Sequence, residues 1–411
     1  MDVKAIRGFI GNKLTFAEVS ADNGLKMAAT VSAEDLIAMI RASGLRGRGG
    51  AGFPAARKWE FARAEEGTPK YIICNADEGE PGTFKDRLIL TDFPDHVFAG
   101  MAIAGKAVGA EKGILYLRAE YGWLRGHLED VLKRRRKASL LGDGVFGNAD
   151  FRFDVEIRMG SGAYICGEET ALLESLEGRR GDARNRIPFP VQAGYMGKPT
   201  VVNNVETLAW VPCIVDKGPA WFASMGTKKA PGAWLFSVSG DCSRPGIYEY
   251  PFGTSLRQIL TDVGATNAKA VQVGGASGIC VPPSQFDRTL TPGDLATGGS
   301  IIVFGQGQDM FAVAENFQQF FADESCGQCI PCRVGNVRLQ EAIKRMRKEG
   351  LDKETEHTLR QLAATMQSAS KCGLGQSSPK AFLSILDNFS GELPACKAPV
   401  KDTQSVVSIA Q

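Results

Sequence analysis

The chain of 411 residues predicts an α/β protein whose texture changes twice along its length. Three observations carry that reading. Apolar runs at Tyr71–Cys74, Gly113–Leu117 and Phe153–Ile157 read as strands and alternate with helical stretches near 94–108, 119–136 and 167–177, the pattern of strands joined by helical crossovers. From Trp234 the runs become short and β-like, broken by Gly and Pro turns. After Gln308 apolar residues return at three- and four-residue spacing, as in Met310, Phe311, Ala314, Phe317 and Phe321.

In chain order, residues 33–43 form a helix, with Ser32 as cap, Glu34 and Asp35 in the first turn and Leu36, Ile37 and Ile40 on one face. A glycine-rich loop follows at once. The strand-and-helix alternation occupies the remainder of an α/β part at 1–230. A small β-rich part at 231–306 holds the runs Trp234–Ser239, Ile247–Tyr250, Val271–Gly274 and Ser300–Phe304. Helical stretches at 336–348, 353–368 and 379–389 then complete a four-helix bundle at 307–393, and 394–411 reads as a mobile tail.

Bulk composition excludes several classes. The chain is 44% hydrophobic and 23% charged with a net charge of +2, so neither disorder nor a strong field for nucleic acid is indicated. The basic run Lys133–Lys137 follows a helical stretch and reads as a solvated helix end facing the negative end of the dipole. The longest apolar candidate, Val97–Ala110, is short and carries Lys106, so no membrane span is expected; the N-terminus lacks the apolar core of a secretory signal, and a cytoplasmic location follows. Only three histidines, His96, His127 and His357, are present and scattered, which leaves little for zinc hydrolysis or histidine acid–base chemistry.

Of ten cysteines, four crowd one region. Cys326, Cys329 and Cys332 form a C-x2-C-x2-C run, and Cys372 lies forty residues later in Lys371–Gly375. Three close thiolates and a distant fourth suit a [4Fe-4S] cluster; structural zinc more often pairs two separate C-x2-C knuckles, and unligated core cysteines are the remaining reading. Cys74, Cys166, Cys213, Cys242, Cys280 and Cys396 are isolated and read as buried apolar thiols.

The loop Arg46–Pro54 contains G-x-G-x-x-G, a weak dinucleotide signal alone. It follows a helix where the usual fingerprint follows a strand, so a variant phosphate cradle, with Arg48 and Lys58 adding charge, competes with a plain flexible turn. Two acidic segments, Asn75–Thr83 and Gly167–Thr170, follow strand-like runs, where α/β sheets bind ligands. Paired carboxylates also occur in glycoside hydrolysis and magnesium sites, but the cysteine run beside them argues for redox chemistry.

Taken together, GRGGAGFP (47–54), NADEGEPGT (75–83), GEETALLESLEG (167–178), VVNNVET (201–207) and SCGQCIPCR (325–333) resemble the NADH-binding flavoprotein subunit of respiratory complex I and its soluble relatives, over roughly residues 35–390. Those relatives are the diaphorase subunits of NAD-reducing hydrogenases and of NAD-dependent formate dehydrogenases. The resemblance implies a Rossmann-like FMN domain, a ubiquitin-like β-grasp domain and a helical bundle carrying the cluster. It implies FMN held by Gly47, Arg48, Gly49, Lys58, Asn75, Asp77, Glu78, Gly167, Glu168, Asn203, Asn204 and Thr207. NADH would meet Phe53, Phe61, Glu80, Glu169 and Phe189, with Glu80 and Glu169 positioning the nicotinamide.

The implied reaction is hydride transfer between nicotinamide C4 and flavin N5, then one-electron passage between FMN and the cluster, with no side chain shuttling protons. The family usually has lysine and proline ahead of the Phe-Pro, where this chain has Arg186-Ile187-Pro188-Phe189. The chain begins without the thioredoxin-like [2Fe-2S] extension and ends without the ferredoxin-like one that some soluble relatives carry, so a thioredoxin-like [2Fe-2S] subunit and a larger iron–sulfur or catalytic subunit are expected partners. Segments Asp92–Asp95 and Tyr116–Tyr121 look closer to the hydrogenase and formate dehydrogenase relatives than to complex I. A non-enzymatic metal-binding scaffold is the alternative of another class.

Overall fold

A computed structural model describes residues 10–292, 294–295 and 298–396. Most of the expected tail, 397–411, lies outside the described residues. The α/β expectation holds, with a parallel sheet, a second sheet and a helical C-terminal region.

The first sheet contains Tyr71–Ala76 (β1), Lys112–Leu117 (β2), Asp154–Met159 (β3) and Thr200–Asn204 (β4), all parallel in the order β3-β2-β1-β4. The first three match the apolar runs. β4 escaped a pattern search because two of its five residues are asparagines. Chain order proceeds outward from β1 to β3 and then returns to the other side of β1, so the topological switch lies between β1 and β4, where such sheets open a crevice at their carboxyl ends. Register pairs Asn75 with Asn204 there. Helices Pro94–Val108 and Val205–Lys217 pack on each other and are buried almost throughout their length. Gly100 permits the approach, since a Cβ there would lie 2.0 Å from the Leu208 carbonyl oxygen.

The helix Ala33–Ser43 is as expected, with the Ser32 hydroxyl accepting from Asp35 N and Gly44 left-handed at φ 71°. The basic run is a solvated helix end at Lys133, Arg134, Arg136 and Lys137, which are exposed; Arg135 departs from expectation. Arg135 is fully buried, its Nη1 donating to Asp22 (2.9 Å) and Asp95 (2.7 Å), while Arg134 and Arg136 pair at the surface with Asp95 and Asp154. Arg135 is tolerated inside because carboxylates from distant segments compensate it.

Strands Ala233–Gly240 (β5), Gly246–Pro251 (β6), Ala268–Val273 (β7), Ile279–Val281 (β8) and Ser300–Gly305 (β9) form a mixed sheet in the order β6-β5-β9-β7-β8. Its first and last strands, β5 and β9, lie parallel at the centre. Helix Leu256–Asp262 covers one face through Leu256, Ile259 and Leu260, which is the β-grasp arrangement. The N-terminal segment also reaches this sheet: Gly11 N donates to Ile247 O (2.8 Å), and Asn12 bonds the Glu249 backbone in both directions.

Helices Met310–Glu324, Ile330–Glu349, Lys353–Ala369 and Pro379–Phe389 surround a core of Met310, Phe311, Leu339, Ile343, Met346, Met366, Phe382 and Ile385. The second begins six residues before the expected start: Pro331 occupies its first turn, where a missing N–H costs nothing.

Candidate functional site

Candidate residues meet at the carboxyl ends of β1 and β4. Arg46–Pro54 forms a loop closed by Gly47 N to Phe53 O (2.9 Å), and the Arg48 backbone N–H donates to Thr207 Oγ1 (2.8 Å), so the glycine loop rests on the start of helix Val205–Lys217. Gly49 approaches Asn204 closely enough that a Cβ would lie 3.2 Å from the asparagine Cβ. Asn75 joins two further motifs, its Nδ2 donating to Gly167 O (2.9 Å) and its Oδ1 accepting from Asp77 N (3.0 Å). Lys58 and Glu169, 111 residues apart in sequence, pair at 2.7 Å, and Lys58 also donates to Val202 O on β4.

Glu80 sits at the rim. Its Oε1 accepts from Ser277 N (3.0 Å) and its Oε2 from Tyr164 (2.7 Å) and the Ser277 hydroxyl. Burial pushes its pKa up, against the pull of those hydrogen bonds. Phe53, Phe61 and Phe189 are each more than two-fifths exposed, large aromatic faces left free for stacking.

The four cysteines line one small pocket, together with Ile165, Ala183, Ser325, Gln328, Lys371 and Leu374. Cys326 and Cys329 lie on the loop between the first two bundle helices, Cys332 in the first turn of the second, and Cys372 just before the short helix Gly373–Ser377. Two segments must touch for this. Gly375 allows it, since a Cβ there would come 2.8 Å from Cys332 Cβ. Burial pushes the Cys332 thiol up to about 11 and raises Cys372 as well, so the cavity suits thiolates only where a cation balances them. Three thiols within seven residues and a fourth from a separate segment, all lining one cavity, fit the donor set of an iron–sulfur cluster.

The sequence matches the model of the Nuo51 FMN-binding domain over residues 40–213 and that of the NADH-ubiquinone oxidoreductase-F iron–sulfur binding region over 312–396. The F 2 subunit of the NADH-quinone oxidoreductase of Rhizobium meliloti is 39% identical, the alignment covering 88% of each chain. This chain belongs to the F-type family of NADH-quinone oxidoreductase subunits. It is also 48% identical to the NAD-reducing hydrogenase HoxS subunit alpha of Cupriavidus necator, over 87% of this chain but 59% of that one, so it spans less than two thirds of that relative. The crystal structure of an NAD+-reducing [NiFe]-hydrogenase in the H2-reduced state matches with a TM-score of 0.88 at 40% identity, covering 94% of this chain and 68% of the other. As a member of this oxidoreductase family the chain has FMN, an iron–sulfur cluster and NAD(H) as its cofactors.

The FMN candidates divide by what their polar atoms already hold. Asp77 fits a ligand site: its Oδ2 is buried without a partner, and burial, opposed by Arg118 and reinforced by Glu120 and Glu324, brings its pKa to about 7. The glycine loop, Gly167 and the Lys58–Glu169 pair border the same crevice. Arg48 is a correction. Its guanidinium is fully buried on the far side of the loop, donating to Arg46 O and Ala233 O (both 2.9 Å) and lying 5.0 and 5.1 Å from the Trp234 and Phe252 ring centres, so it staples the loop to β5 and presents no charge to a phosphate. Only its backbone remains near the crevice.

Other candidates hold scaffold groups with part of their polar atoms. Glu78 is buried, accepting from Asp86 N (2.8 Å), Arg87 N (3.1 Å) and Tyr121 (2.7 Å); burial and Asp86 raise its pKa to about 7. One oxygen of Glu168 caps helix Glu169–Leu176 through Thr170 N and Ala171 N. Asn203 accepts from Trp59, Asn204 caps Glu206 N, and Thr207 takes the Arg48 amide. Sequence reading missed Tyr164 and Ser277, which share Glu80; Tyr164 stands three residues before Gly167, and that proximity was the only signal available.

Proposed function

We propose that this chain is the NAD(H)-oxidising diaphorase component of a multisubunit redox enzyme, of the soluble NAD-linked hydrogenase or formate dehydrogenase kind. The observation that carries it is the loop after β3. Gly167 on this loop faces Asp77 in the crevice, and Ile165, two residues earlier, lines the cysteine cavity, so two redox sites share one short wall. Identity of 48% to a hydrogenase subunit supports that kind of complex over complex I, whose F-type subunits lie at 37–39%.

FMN would supply two-electron chemistry toward the nucleotide and one-electron chemistry toward the cluster. In this reading Asp77, Lys58, Gly47, Gly49 and Gly167 hold the flavin; Phe53, Phe61 and Phe189 grip the nucleotide by stacking; Glu80 and Glu169 orient the nicotinamide; and Cys326, Cys329, Cys332 and Cys372 hold the [4Fe-4S] cluster. Residues 1–230, 231–306 and 307–393 form the flavin, β-grasp and cluster units. Partners are a thioredoxin-like [2Fe-2S] subunit and a larger iron–sulfur or catalytic subunit in the cytoplasm; no helix among the described residues is long and apolar enough to cross a membrane. Anaerobic NADH should bleach a flavin-plus-cluster spectrum in the purified protein. A protein with metal but no flavin, inert to NADH, would support the scaffold reading instead.

A further inference from the structure

We infer that Tyr164 is a positioning residue that couples nucleotide occupancy at Glu80 to the cysteine-bearing end of helix Met310–Glu324. The inference rests on the reading of Glu80 as the nicotinamide-side carboxylate and of the four cysteines as cluster ligands.

Three parts of the molecule meet on this side chain. Its hydroxyl donates to Glu80 Oε2 (2.7 Å) on the loop after β1 and lies 2.8 Å from the Ser277 hydroxyl, on the turn between β7 and β8. Its ring meets Phe320 edge to face, with centroids 4.9 Å apart, and Phe321 at 6.3 Å, both on the first bundle helix. Its backbone N–H donates to Glu324 Oε2 (2.9 Å), and Glu324 ends that helix immediately before Ser325 and Cys326. The next residue, Ile165, lines the cysteine cavity.

The junction is tight. A Cβ on Gly79, the residue before Glu80, would come within 2.9 Å of the Tyr164 ring, so ring and loop backbone are already in contact. Both Glu80 oxygens are engaged by groups from other segments. A carboxylate accepts in about four directions, so a nucleotide amide that bonds Glu80 competes with the Tyr164 and Ser277 donors that already take three of them. Ser277 stays on the small sheet when it yields. Tyr164 yields either by turning its hydroxyl onto Ser277 or by moving the ring that packs on Phe320 and the amide that anchors Glu324; the second response carries the coupling, since packed side chains shift between discrete arrangements rather than deforming continuously.

The test is electron paramagnetic resonance of the dithionite-reduced cluster in purified holoprotein with and without excess NADH, the nucleotide form that a reduced flavin leaves unchanged, comparing wild type, Tyr164→Phe and Ser277→Ala. Wild type and Ser277→Ala should show a shift of the cluster signal on adding NADH. Tyr164→Phe keeps the ring and the backbone amide, so it should retain FMN, the cluster signal and measurable NADH bleaching, with NAD+ affinity for the oxidised flavoprotein, from the flavin difference spectrum, changed no more than about tenfold. The NADH-induced shift should be lost. An undiminished shift in Tyr164→Phe, or no shift in wild type with NADH bound, overturns the inference. Absence of NADH bleaching or of any cluster signal in wild type sinks the underlying functional reading instead.

Discussion

Replacing Arg48 by alanine separates a phosphate ligand from a structural staple. The guanidinium supplies donors to Arg46 O and Ala233 O, lies 3.9 Å from Glu206, and fills the space between Trp234, Phe252 and Phe222. Orphaning a buried acceptor costs about 1–3 kcal/mol, and the void left by a large buried side chain about 2–5 kcal/mol. These overlap, and relief from burying a cation, whose pKa burial lowers to about 10, offsets part of them. A net loss of about 4 kcal/mol follows, a large share of the ~5–15 kcal/mol typical of a folded domain. At roughly 2–4 °C per kcal/mol the thermal midpoint should fall by about 10 °C. Arg48→Lys, which keeps the charge but loses the planar fork, should fall between. Calorimetry with a flavin assay on the folded fraction reads both properties. An unchanged midpoint with FMN lost would refute the staple and restore the sequence expectation of a phosphate ligand.

Glu80→Gln should depress NADH turnover while leaving FMN content near wild type, because its partners are Tyr164 and Ser277 at the rim of the crevice; loss of flavin with unchanged turnover per remaining flavin would contradict the assignment. Cys372→Ser should remove or convert the cluster yet leave NADH bleaching of FMN, and an unchanged paramagnetic signal after dithionite would place the fourth ligand elsewhere. Glu249, buried on β6, has its pKa raised by desolvation from 4.5 to about 7. The folded state therefore holds a proton that the unfolded chain has released, and stability falls as pH rises from about 4.5 to 7. Glu249→Gln, which can still accept from Thr15 N, should melt higher than wild type at pH 8 by the equivalent of about 3 kcal/mol at most, the gap closing toward pH 5. A gap independent of pH would show that the carboxyl does not titrate in this window.

Local pattern carried as far as local physics decides. The Ser32 cap and Gly44 stop delimit the helix Ala33–Ser43 because capping is settled within one turn; β1 and β2 are legible because strands buried on both faces must be apolar, and β3, at the sheet edge, because Val155 and Ile157 alternate with polar residues. Cys326, Cys329 and Cys332 line one pocket because closely spaced thiols must share a neighbourhood, and only the fold brings Cys372 to it. What the sequence could not decide is direction and partnership. Arg48 and Lys58 are both cations near glycine loops, yet one turns inward onto Trp234 and the other meets Glu169, since side-chain direction depends on which sheet lies behind the loop. Carboxylates divide likewise: Glu78 and Glu168 satisfy helix N-termini, whereas Asp77 keeps a buried oxygen without a partner. Tyr164 acquires its place only when the parallel sheet, the β-grasp turn and the first bundle helix close on one another, contacts of 84 to 160 residues' separation that no local period records.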